Sequence, residues 1–304
     1  MACVVGNYGQ GLGDGKNYAF ACAQGSREAA AAAGALLDCG AAGVTVWDCH
    51  GTGVNLDYNL FDKRCEFMLG AGSRLRFPGI EEGYAGVLFL GYHAYDAPAA
   101  TLAHVYSSTT FQGQWIDGKP VGELQIDAAV AGKHGVPVLF AAGDDVCISQ
   151  TKGTFPWAET VVTKKALAWN SCISKHPQTA CDEIYEGVKA ACARLSEMRP
   201  FTIPEPFSYE IRYKRIEYAQ GCSYRFPDGT LFERTAGHSH GLSRFLKHKK
   251  EGFHWMRLWN RSYTAVRSVV RCVVICSGIY VLCAALTFPA LRKTAWLKSP
   301  RAMS

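Results

Sequence analysis

Gly43–Trp47, Ala85–Gly91 and Val136–Ala142 are short, near-continuous apolar runs in the first half of the chain. Runs of this length, rich in Val, Leu and Phe and bounded by glycine, predict strands buried on both faces of a sheet. Segments of helical period lie between and after them. Gln24–Asp38 is alanine-rich, and Val121–Lys133 carries Glu123 in its first turn. Thr179–Met198 repeats apolar residues at Ile184, Val188, Ala191 and Leu195, a stripe that suits a helix packed on a sheet. Strands alternating with helices predict an α/β fold, a three-layer sandwich with a largely parallel sheet.

Pro200, Pro204 and Pro206 interrupt this pattern, and Ser208–Tyr218 then alternates as a strand does. The expected organisation is an α/β domain over residues 1–200, a smaller C-terminal α+β region over 207–267, and an apolar helix with a basic tail over 268–304. Cys272–Leu291 is an uncharged run of 20 residues flanked by Arg271 and by Arg292 and Lys293. That length just spans a bilayer. Ser277, Gly278, Thr287 and Pro289 interrupt it, however. The expectation is a terminal helix, buried or facing another subunit, with a membrane anchor as the alternative. Glycines 9, 11, 13 and 15 alternate near the start, which misses the dinucleotide spacing; Gln10 and Asn17 miss the P-loop pattern. That stretch reads as a flexible leader. No internal repeat is visible.

A hydrophobic content of 48% with 19% charged residues excludes a disordered chain. The net charge of +6 gathers in the last hundred residues, but no recognisable nucleic-acid module accompanies it, and a solvated basic face is expected there. The 13 cysteines are scattered, odd in number and without a C-x-x-C pair. Without a signal sequence at the start, they read as reduced thiols in a cytoplasmic protein, membrane anchoring through residues 272–291 being the alternative.

Candidate chemistry sits where the strands end. W-D-C-H closes on His50 and F-L-G-Y-H-A contains His93. L-A-H follows at His104, and P-V-G-E-L presents Glu123. Side chains at the carboxyl ends of strands enter the crevice where open α/β sheets place their sites. Imidazole and carboxylate are the usual ligands of a catalytic zinc that keeps one position open. A single histidine after a strand is more often a hydrogen-bonded loop residue; four such residues, each in its own phrase, favour a metal site. Cys49, next to His50, is an accidental ligand at most.

The stretch G-V-L-F-L-G-Y-H-A, then His104, I-D-G-K-P-V-G-E-L and A-A-V-A-G-K-H-G-V-P-V-L-F-A-A-G-D-D resembles the zinc-dependent, self-compartmentalising D-aminopeptidases of the DppA type. The resemblance covers roughly residues 16–215 and is densest from Gly86 to Asp145. It implies an α/β subunit with two zinc ions, assembled into a homo-oligomer (a ring-like decamer in the family). The implied activity removes N-terminal D-residues from short peptides of the D-Ala-D-Ala type. Carried over, His50 binds one zinc, and His93 and Glu123 bind the other. His104 is the additional, catalytic histidine. Asp48 orients the His50 loop, while Gly143, Asp144 and Asp145 are structural. The family's first strand also carries D-x-E, whose Asp bridges both metals. Measured back from His50, that strand falls just before Met1, and Asp14 has no Glu two residues on. Fewer than two zinc ions are therefore expected in this chain as written. The intact remainder of the site favours a missing strand over a decayed centre. The leading expectation is a metallo-aminopeptidase. The alternatives are a non-catalytic relative that has lost its dinuclear centre, and a membrane-tethered binding protein.

Overall fold

In the computed structural model the structure describes residues 16–70, 76–95, 97–204, 207–217, 242–245, 271–276 and 279–286. The glycine-rich leader and the basic tail lie outside the described residues.

Helix α1 (Lys16–Asp38) is followed by strand β1 (Ala41–Trp47), then β2 (Cys65–Met68) and β3 (Tyr84–Tyr92). A second group follows: β4 (Phe111–Ile116), β5 (Lys119–Pro120), α2 (Glu123–Lys133), β6 (Val138–Asp144) and α3 (Asp145–Thr154). Next come β7 (Glu159–Ala168), β8 (Ser171–Ser174), α4 (Pro177–Ala193) and β9 (Tyr209–Tyr213). The last strands are β10 (Leu242–Phe245), β11 (Arg271–Cys276) and β12 (Ile279–Leu286). Helix α1 starts eight residues before the alanine-rich segment that predicts it. Pro177 opens α4 at a position where its missing N–H costs nothing.

Seven strands form the main sheet in the order β1-β11-β12-β3-β6-β7-β8. β1, β11, β3, β6 and β7 run parallel, while β12 and β8 run against them. Alternation along β3 shows why the strand runs are apolar throughout. Leu88 and Leu90 join α1 and α4 in one core, whereas Val87 and Phe89 face α2 and α3 in the other. Both faces are covered, giving the expected three layers. A smaller sheet, β10-β9-β4-β5, packs Ile211 and Tyr213 beneath Phe111. Through it, the strand beyond the proline-rich break pairs antiparallel with β4.

The terminal segment departs from expectation. Instead of a helix, residues 271–276 and 279–286 are two strands inserted between β1 and β3. The physical reason is in the sequence: V-V-I and I-Y-V are β-branched and aromatic, and Ser277–Gly278 between them is a turn dipeptide. Among the described residues no helix is long and apolar enough to cross a membrane.

Candidate metal centre

The parallel sheet delivers its chemistry at one edge. β3 ends at Tyr92, so His93 is the first residue past its carboxyl end, where Gly91 at φ +65° turns the backbone. Glu123 is the first residue of α2, directly after the Gly122 cap. His104 comes from the loop between β3 and β4. One ligand atom from each of His93, His104 and Glu123 lies within 4.8 Å of the others, the only such group among the described residues. The imidazoles of His93 and His104 stack with centroids 3.7 Å apart at 18°. His93 Nε2 stands 3.9 Å from Glu123 Oε1, and both side chains are largely buried.

Each member is held by a backbone group. His93 Nδ1 lies 3.1 Å from the Ala94 carbonyl, and His104 Nδ1 lies 2.6 Å from the Leu102 carbonyl. A carbonyl only accepts, so each Nδ1 carries a proton, and in the neutral ring Nε2 is the nitrogen free to bind a metal. Glu123 accepts from the backbone N–H of Tyr106. Burial, reinforced by the neighbouring His104, pushes the His93 pKa well below the ordinary histidine value. Burial raises that of Glu123 as well, against the pull of His104 and Arg76. Two imidazoles and a carboxylate with ligand atoms within 4.8 Å of one another match the donor set of zinc. The residues present therefore fit the metal.

His50 stands outside this three-residue group, three positions beyond β1. Its pKa is lowered by burial and then by His104, which places its charge within reach of the cluster. The loop carrying it is clasped by Asp48. That buried carboxylate accepts from Asn55 N and, at 2.9 Å, from Asn55 Nδ2. Asn55 Nδ2 also donates to the His50 carbonyl at 2.7 Å, while Tyr18 donates its hydroxyl to Asn55 Oδ1. Asp144 caps α3, accepting from Cys147 N at 2.7 Å, and Asp145 accepts from Ala166 N at 2.8 Å. Gly143 is needed where β6 passes the Tyr92 carbonyl, since an added Cβ would lie 2.9 Å from that oxygen. Cys49 is not part of the cluster.

Sequence reasoning missed the network behind Glu123. Asp127, one turn along α2 and fully buried, accepts both arms of Arg76 and, at 2.7 Å, the Tyr92 hydroxyl. Its position four residues after Glu123 was the one available signal, because i and i+4 share a helix face.

Three layers around a parallel sheet, with two imidazoles and a carboxylate converging at its carboxyl edge, define an α/β protein with a candidate divalent-metal centre. The profile of the D-aminopeptidase family, peptidase family M55, matches residues 3–231, and the chain belongs to that family. The D-aminopeptidase of Bacillus subtilis (strain 168) is 30% identical over 129 residues, 42% of this chain and 46% of that protein. The matched stretch thus spans under half of that relative's length. The solved structure of Zn-dependent D-aminopeptidase DppA from Bacillus subtilis, a self-compartmentalizing protease, superposes with a TM-score of 0.69. It is 23% identical and covers 84% of this chain and 90% of that one, which shows a shared fold.

Proposed function

We propose that this chain is a zinc-dependent aminopeptidase that removes N-terminal D-residues from short peptides of the D-Ala-D-Ala type. The observation that carries the reading is the convergence of His93, His104 and Glu123 within 4.8 Å at the carboxyl edge of the sheet. Zinc held there would supply Lewis acidity, the chemistry that eases the ionisation of water and polarises a carbonyl. His93 Nε2 and the Glu123 carboxylate are the donors that hold it; the Ala94 carbonyl fixes the other nitrogen of His93, and the Tyr106 N–H fixes Glu123 Oε1. His104, in the same group, moves a proton to the departing amine. His50 stays outside the group, and its imidazole, whose pKa burial and then His104 lower, is the donor left for a second ion. By likeness to the self-compartmentalizing relative, the chain assembles with copies of itself, which light scattering of the purified protein checks.

The test is zinc per chain and hydrolysis of D-Ala-D-Ala, measured together on three proteins. The parent chain is expected to hold about one zinc, because the described residues bring together one group of ligating side chains. Glu123→Gln is expected to lose both metal and turnover, and retained activity sinks the assignment. His104→Ala is expected to keep its metal while turnover falls by two orders of magnitude or so. The 4.8 Å grouping also admits His104 as a third ligand, and a parallel loss of zinc in that variant selects this second arrangement. A parent chain with no zinc and no hydrolysis favours the non-catalytic relative.

A further inference from the structure

We propose that Trp169, at the tip of the β7–β8 hairpin, is a positioning residue that sets the tautomer and aim of His104. The inference rests on the aminopeptidase reading for its kinetic consequence, though not for its geometry. Trp169 and Asn170 form the two-residue turn between Ala168 and Ser171. From there Trp169 reaches the His104 loop, 66 positions away for its indole bond. Its backbone carbonyl accepts from Leu102 N at 2.8 Å, and its indole Nε1–H donates to the Ala103 carbonyl at 3.0 Å. One residue thereby holds both residues that immediately precede His104.

What it holds does not stay in place by itself. Leu102 has φ +55°, in the left-handed region where a side chain crowds the following carbonyl. A leucine is kept there only when its surroundings over-determine it. This conformation aims the Leu102 carbonyl at His104 Nδ1, 2.6 Å away. That contact puts the proton on Nδ1 and makes Nε2 the nitrogen that carries the lone pair in the neutral ring. Beyond it, His104 is tethered by its own N–H to the Ala94 carbonyl at 3.3 Å and by the stack on His93. Neither contact reaches Nδ1, so neither selects the tautomer. The bond from Leu102 N survives any substitution at Trp169, so the indole is the part of the clamp a variant removes. Without it the backbone before His104 loosens, the Leu102 carbonyl swings off Nδ1, and both tautomers populate.

Trp169→Phe tests this, because the half-buried ring is kept while the indole donor is lost. The readouts are the histidine side-chain 15N shifts of the full chain after chelation of metal, at a pH above the histidine range. The His104 signal is assigned by its loss in His104→Gln. Turnover of D-Ala-D-Ala and zinc content are measured on the metal-loaded protein. The expected result is a shift of His104 from the Nδ1–H pattern toward a mixture. With it, kcat falls about tenfold while KM and zinc content stay within twofold, a partial loss of what proton transfer contributes. Unchanged 15N shifts overturn the proposal even if kcat falls, and unchanged kcat in an active parent overturns it even if the shifts move. A parent chain without hydrolysis refutes the aminopeptidase reading instead and leaves the tautomer measurement to decide the role of Trp169.

Discussion

Replacing Asp144 by Ala removes one buried carboxylate that serves two backbone donors belonging to different parts of the fold. Oδ1 accepts from Cys147 N at 2.7 Å and closes the first turn of α3. Oδ2 accepts from Thr101 N at 2.9 Å, at the root of the loop that carries His104. Loss of a helix cap costs about 1 kcal/mol, and a buried N–H left without an acceptor costs about 1–3 kcal/mol more. Water does not replace the lost acceptor readily, since Asp144 is 0% and Thr101 2% exposed. Asp144→Ala is therefore expected to destabilise the fold by about 2–4 kcal/mol. Asp144→Asn, which retains one acceptor oxygen, is expected to fall near the middle of that range. The assay is urea unfolding at matched protein concentration, read as a change of midpoint at constant slope. A loss under about 1 kcal/mol, together with full turnover, refutes the claim that one side chain anchors both segments.

Three further outcomes follow from the same contacts. Arg76→Met leaves Asp127 buried without its guanidinium and is expected to cost about 3 kcal/mol, part of which Asp127→Asn restores in the double variant; chemical denaturation of both checks it. Acidification should destabilise the zinc-free protein through His93. Its folded pKa is depressed by burial, so the unfolded chain takes up the proton first; the contribution is present above pH 6.5 and is lost as pH falls below it, at up to about 1.4 kcal/mol per pH unit. Unfolding midpoints flat from pH 7.5 to 5.5 contradict this. Cys147, fully buried with its pKa pushed up to about 12 by burial and by Asp144, should be the last of the described cysteines to react with iodoacetamide at pH 8, as peptide mapping would show.

The strands and helices that flank the site were legible because each is a local pattern. V-T-V-W, G-V-L-F-L and V-L-F-A-A are too apolar for anything but a sheet covered on both sides, and the helices between them carry their own period. His93 and Glu123 were legible for a related reason: a strand end and a helix start are positions a sequence can mark. Residues 271–286 were not, since an uncharged apolar run has the same composition as a buried strand pair or a helix, and only Ser277–Gly278 separates the two. The supporting contacts were equally hidden. Arg76 meets Asp127 across 51 positions, Tyr18 meets Asn55 across 37, and Trp169 meets Ala103 across 66. No local periodicity encodes a partner at that range, and a helix-capping aspartate such as Asp144 gives no sign that its second oxygen holds a distant loop.

Because the last described strands lie between β1 and β3, the order of synthesis and the order of the sheet disagree. Val44 pairs with Cys272, about 230 positions later, so closing that contact carries a long-loop entropy that the neighbouring pairs β3–β6 and β6–β7 do not. At roughly 5–20 residues per second, β1 waits some 10–45 seconds on the ribosome before its partner strand exists. Through that interval its edge is open, and the strands leading to His50 and His93 are unjoined. β11 and β12 pair with each other locally, so they can dock as a preformed unit. Assembly of the His50 and His93 sides of the centre is thereby deferred to the last stage of folding, when the β11–β12 pair joins the sheet.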